Sequence, residues 1–143
     1  MELWRLYRAA HGTGLDGSGG LYAAGRWHEL GKPVVYFGAS PAIVVLEKLA
    51  HIDPGVLPGD LLLGRFEGDV SVEELGEFPD IQDTAKTRAR GTAFLESRKA
   101  CVLRVPSRVV AEEFNFVVNP VHPEAGRIRL AASRAFVFDG RLL

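Results

Sequence analysis

Residues 25–51 read GRWHELGKPVVYFGASPAIVVLEKLAH. Val34-Val35-Tyr36-Phe37 is rich in β-branched and aromatic residues and lies between Pro33 and Gly38, which predicts a strand. Ser40 before Pro41 marks a helix start. The serine oxygen can accept from the orphan amides of a first turn, and proline at the first helical position forfeits no hydrogen bond. Ile43, Val44, Val45, Leu46, Leu49 and Ala50 go all the way round the helix that follows, so it is expected to be buried. Glu47 sits inside this apolar run. A carboxylate on a buried helix is costly unless paired or used. Its alternatives are an ion pair with Lys48, Lys32 or an arginine, and a role in chemistry.

On the N-terminal side, Leu3 to Arg8 alternates as a strand, with Leu3, Arg5 and Tyr7 on one face and Trp4, Leu6 and Arg8 on the other. Residues 11–20 carry five of the 16 glycines. This loop fits neither GxxxxGK[ST] nor GxGxxG followed by a helix, and is either a plain mobile connection or a ligand lid. On the C-terminal side a turn is expected over 53–59, a strand over Asp60–Phe66 and a second extended segment over Val70–Leu75. Asp80 or Asp83 can cap a helix to Arg90, with Gly91 ending it or opening a short helix over Thr92–Ser97. Ala100–Val105 and Phe114–Val118 read as strands, with Val109-Val110 a weak continuation beyond Pro106-Ser107. A turn follows at 122–126. Arg127–Leu130 and Ala135–Phe138 are two strands or one long bent strand. Many strands, few helices and no βαβ rhythm give an α+β fold. The length, 143 residues, suits one domain spanning 1–143.

The composition, 47% hydrophobic and 24% charged, is that of a globular chain with a real core. A net charge of −1 offers no basic field and argues against direct nucleic-acid binding. Arg88 to Arg90 is expected on a solvated helix face. The single cysteine, Cys101, lies in an apolar run as a buried strand residue and excludes an internal disulfide. His11, His28, His51 and His122 lack ligand spacing, so no metal is expected. No apolar run approaches the roughly 18 residues of a membrane span, and MELWRLYRAA lacks a signal-peptide core. A cytoplasmic, membrane-free protein is the expectation.

Few polar residues interrupt the apolar elements: Arg8, Arg26, Tyr36, Glu47, Ser107, Asn115 and Asn119. Arg26 carries a planar fork suited to phosphate, or pairs with Glu29 at the surface. Tyr36 is a core residue or a ring for stacking on a base or nicotinamide. Ser107 offers its hydroxyl to a ligand or bonds its own turn; no GxSxG elbow supports a triad. Two arginines, an aromatic and one carboxylate suit a phosphorylated ligand whose cleavage passes through a positive centre.

GRWHELGKPVVYFGASPAIVVLEKLAH, then LRVPSRVVAEEFNFVVNPVHPEAG and the ending FVFDGRLL, together resemble the RES domain, named for its arginine, glutamate and serine. The likeness runs from Trp4 to Arg141. It implies an ADP-ribosyltransferase-like mixed β core and a toxin of a bacterial toxin–antitoxin pair that depletes NAD. The bond cleaved would be that between nicotinamide and ribose, by hydrolysis or phosphorolysis. Protein ADP-ribosylation and a catalytically silent module binding nucleotide or antitoxin are the alternatives. By match to the family motifs, Arg26, Glu47 and Ser107 are catalytic candidates. Arg8, Arg26, Tyr36 and Ser107 would bind NAD: Arg8 and Arg26 at the pyrophosphate, Tyr36 against the nicotinamide side, Glu47 near the ribose and Ser107 near the cleaved bond. The implied partner is an Xre-like antitoxin blocking the pocket near Arg8 and Arg26; a homodimer or a hetero-oligomer with the antitoxin is left open. His28 departs from the asparagine common after the family's RW pair, and Thr92-Ala93-Phe94 replaces an expected tryptophan context.

Overall fold

Seven strands and two α-helices follow one another in the order ββαββαβββ in a computed structural model that describes residues 1–53 and 55–143. The elements are β1 (Glu2–Arg8), β2 (Val35–Gly38), α1 (Pro41–His51), β3 (Leu61–Glu67), β4 (Val72–Glu74), α2 (Thr84–Ser97), β5 (Val102–Pro106), β6 (Phe114–Val118) and β7 (Arg129–Ala135). All strands join one sheet in the order β4-β5-β6-β2-β1-β3-β7. Only β4 and β5 run parallel; the other pairs are antiparallel. This is the expected α+β fold with a mixed β core. Among the described residues no helix is long and apolar enough to cross a membrane.

Strand alternation builds two cores. Val35 and Phe37 of β2 and Phe116 and Val118 of β6 pack with Leu3, Tyr7 and Phe66. Val117 of β6 and Leu103 and Val105 of β5 pack with Trp27, Phe94 and Leu95, and Tyr36 joins them from β2. Cys101 is fully buried in the first core, as its run predicted.

Of the two alternatives for the C-terminal segment, β7 is the single strand, over Arg129–Ala135 and ending before Phe136. Three expectations need correction. α2 does not stop at Gly91; it runs through it to Ser97, capped by Asp83, whose side chain accepts from the Lys86 amide. Val109 and Val110 lie outside any strand. α1 is not buried all round: only Ile43 is fully buried, and Ala42, Leu46 and Ala50 are exposed. The helix packs on β1 and β2 from one side, so an apolar residue on its far side faces outward. Pro54, within the turn expected over 53–59, lies outside the described residues.

Candidate functional site

Glu47 is placed by the start of its helix. Ser40 accepts from the Ile43 amide at 3.2 Å, and Pro41 follows as the first helical residue. Gly38, at the end of β2, lets α1 approach, because a Cβ there would collide with Val44 and Ile43. The helix then turns Val44, Glu47, Lys48 and His51, spaced as one helical face, into a cavity of about 330 Å³. The opposite walls come from Trp4 and Leu6 of β1, Tyr36 of β2 and Asn115 of β6, and residues 25–27 close one side.

Within this cavity the Glu47 carboxylate is oriented through one oxygen. Oε1 accepts from the Ser107 hydroxyl at 2.7 Å and from Asn115 Nδ2 at 2.8 Å. Among the described residues Oε2 accepts no hydrogen bond. Ser107 is buried, and its oxygen also accepts from the amides of Val109 and Val110, at 3.0 and 3.2 Å. The hydroxyl proton and both lone pairs are therefore engaged by the protein. Ser107 acts as the turn hydrogen-bonder and reaches the cavity through Glu47.

Arg26 lines the same cavity, and its Nη1 is buried with no hydrogen-bond partner among the described residues. A buried guanidinium nitrogen without an acceptor is unfavourable, and an anionic or strongly accepting group in the cavity would satisfy it. The backbone that aims Arg26 is held by α2. Arg88 Nε donates to the Gly25 carbonyl and the Thr87 hydroxyl to the Arg26 carbonyl, each at 2.7 Å. The Glu29 amide donates to the Thr92 hydroxyl at 3.1 Å. Trp27, 2% exposed, sits against Gly91, where any Cβ would strike the Trp27 carbonyl. Arg88 is thus a clamp and Arg90 pairs with Glu73, which corrects the expectation of a purely solvated face.

Tyr36 presents its ring to the cavity while its hydroxyl is tied down. It meets His28 Nδ1 at 2.7 Å and accepts from the Trp27 amide at 3.2 Å. Burial holds the phenol well above its ordinary pKa, so it stays neutral and contributes an aromatic surface rather than an acid or base.

Arg8 is set apart from this group. It lies at the far end of β1, half-exposed, with Nε 2.7 Å from Asp60, and does not line the cavity. Arg5 does. Its Nη1 donates to the Tyr36 carbonyl at 2.8 Å and its Nε to the Thr13 carbonyl at 3.0 Å. β1 pairs with β2 only through Trp4 and Gly38, so a guanidinium meets the Tyr36 carbonyl instead of a β1 amide. Burial lowers the Arg5 pKa from its ordinary value. The sequence signal for Arg5 was its place between Leu3 and Tyr7 on the buried face of β1. Lys48, His51 and Arg108 also line the cavity, and the first two were legible as the residues one and four positions after Glu47. Residues 11–20 do not line it. Instead Gly17, at φ +72°, fits against Pro120 and the Val34 amide.

The site thus sets one carboxylate among Arg5, Arg26, Lys48, His51 and Arg108, in a chain whose net charge is only −1. Comparison with known proteins gives a consistent set of relatives. The RES domain family model matches residues 2–139. "Toxin Res" of Pseudomonas putida is 37% identical over 149 residues, covering 99% of both chains. The "Prs ADP-ribosylating toxin" of a Sphingobium species is 30% identical over 155 residues, covering 99% of this chain and 96% of the relative. A chain in the crystal structure of the M. tuberculosis MbcT-MbcA toxin-antitoxin complex superposes with a TM-score of 0.77 at 19% identity, covering 94% of this chain and 83% of that one.

Proposed function

This chain belongs to the RES domain family, and we propose that it is the toxin of a toxin–antitoxin pair that breaks the nicotinamide–ribose bond of NAD in the cytoplasm. The observation that carries the reading is the orphaned Arg26 Nη1 sharing a cavity with the oriented Glu47 carboxylate. A pyrophosphate supplies the acceptors that Arg26 lacks, and Arg5 adds a second guanidinium. The cavity volume suits a cofactor-sized ligand. Loss of nicotinamide as a neutral leaving group puts positive charge on the ribose C1 and ring oxygen. A fixed carboxylate favours that charge more than the ground state. Water, phosphate or a protein side chain then adds at C1; an acceptor that enters as O–H or N–H loses that proton to solvent, whereas phosphate enters through an anionic oxygen. Ser107 and Asn115 hold Glu47, and Tyr36 offers its ring to the nicotinamide side.

In this reading Arg5 takes the place at the pyrophosphate expected of Arg8. An Xre-like antitoxin would silence the enzyme by inserting a chain end or side chain near Arg26. Incubating the protein with NAD in water, with phosphate, and with cell extract, then identifying the ribosyl product by mass spectrometry, distinguishes the acceptors. Free ADP-ribose marks hydrolysis and ADP-ribose phosphate marks phosphorolysis. A second reading, transfer of ADP-ribose to a protein, is favoured by the relative called an ADP-ribosylating toxin. It predicts labelled protein in the extract. Absence of all three products overturns both.

A further inference from the structure

The Tyr36 ring faces the cavity, yet what fixes it lies behind it. His28 is 4% exposed, and both its ring nitrogens are engaged. Nε2 is 2.7 Å from the Ala23 carbonyl, and Nδ1 is 2.7 Å from the Tyr36 hydroxyl. A carbonyl oxygen only accepts, so Nε2 carries the proton and Nδ1 of the neutral ring is bare. The Tyr36 hydroxyl therefore donates to Nδ1 while accepting from the Trp27 amide. The rings stand 5.5 Å apart and tilted by 50°. Gly25 makes the arrangement possible: a Cβ there would lie 2.7 Å from His28 Cε1 and Nδ1 and 2.8 Å from the Tyr36 oxygen.

We propose that His28 is a positioning residue of the site: as the Nε2–H tautomer it accepts the Tyr36 hydroxyl and so fixes the aromatic wall against which the substrate's ring packs. Two properties support it. The same loop carries Arg26, so one clamp, tied to α2 by Arg88 and Thr87, sets both the guanidinium and the ring. The device also needs a neutral histidine, and its surroundings keep it so: burial, then the nearby Arg88 guanidinium, lower the His28 pKa from 6.5, against the Ala23 hydrogen bond that raises it. Tyr36 on β2 is neutral, and Arg88 is the charge facing His28 from α2. Protonated His28 would offer donors at both nitrogens, leaving the buried phenol proton without its acceptor.

The proposal rests on the NAD reading for its substrate, so the test has one arm that does not. In the substrate-free protein, ¹⁵N-resolved NMR at neutral pH should show His28 as the Nε2–H tautomer, with Nδ1 perturbed by Tyr36→Phe. An Nδ1–H tautomer overturns the proposal. In the second arm NAD turnover is measured for His28→Leu, His28→Asn and both in a Tyr36→Phe background. His28→Leu should raise KM about tenfold with kcat changed less than about twofold, the pattern of lost ground-state binding. His28→Asn, which keeps an acceptor at the δ position, should restore KM to within about threefold of wild type. In the Tyr36→Phe background the leucine and asparagine variants should not differ. An equal effect of His28→Leu with and without the Tyr36 hydroxyl would assign His28 to general packing and overturn the proposal. If wild type consumes no NAD while the tautomer and the Tyr36 coupling hold, the NAD reading fails and the pairing stands.

Discussion

Glu47 receives its two hydrogen bonds from residues 60 and 68 positions away in the chain. At this scale the candidate site is a set of engaged atoms around two, Glu47 Oε2 and Arg26 Nη1, that have no hydrogen-bond partner among the described residues. Ser107→Ala removes one of the two donors to Glu47 and leaves two amides without their acceptor. It should lower NAD turnover about tenfold or more and cost about 1–2 kcal/mol of stability by urea unfolding. Unchanged turnover would separate Ser107 from Glu47. Arg5→Ala should lower kcat/KM at least about tenfold, whereas Arg8→Ala should leave it within about threefold, because an exposed pair contributes little. The opposite result restores Arg8 as the ligand contact. His28 yields a pH prediction. Its folded pKa lies below the ordinary 6.5, so the unfolded chain binds the extra proton first. Stability should fall as pH drops from about 6.5 through the lowered value, and level off below it. His28→Asn should flatten that slope in pH-dependent unfolding.

Among elements, α2 matters most for a part it does not itself contribute to the cavity. Its side chains hold the carbonyls of Gly25 and Arg26, and its Gly91 is the point of contact with Trp27. Gly91→Ala, though favourable by helix propensity, should destabilise by more than about 2 kcal/mol, because backbone cannot yield to a Cβ there. Gly19→Ala, which meets nothing, is the control and should shift the unfolding midpoint little. This is also where the sequence was hardest to interpret. The cap at Ser40-Pro41, the strand around Tyr36 and the strand Phe114–Val118 were legible because each is a local signal. Gly91 resembled a helix end because its reason is a tertiary contact 64 positions away. The apolar circumference of α1 suggested full burial, but a helix lying on one side of a sheet buries only the stripe that faces it.

For the whole molecule, the mixed sheet gathers β1, β2 and β6 side by side, which brings Arg5, Tyr36 and Asn115 under Glu47. The α+β class followed from the strand count and the missing βαβ rhythm. The strand order could not be read from pattern alone, because pairing is fixed by burial across distant segments. Of the named site residues, Arg26, Tyr36 and Glu47 meet in one cavity, Ser107 supports it and Arg8 stands outside. The proposed antitoxin contact belongs to this scale. A co-expressed antitoxin should suppress NAD consumption in proportion to complex formed, and a tight complex with full turnover would refute inhibition at the cavity.

Nicotinamide release from NAD by wild type and Glu47→Gln, at matched folded concentration, tests the central claim most directly. Loss of the carboxylate charge should lower release about 10²–10³-fold, the range for removing one transition-state stabilising group, with NAD binding by calorimetry largely retained. Release by Glu47→Gln at the wild-type rate would contradict the assignment of Glu47 to glycosidic cleavage.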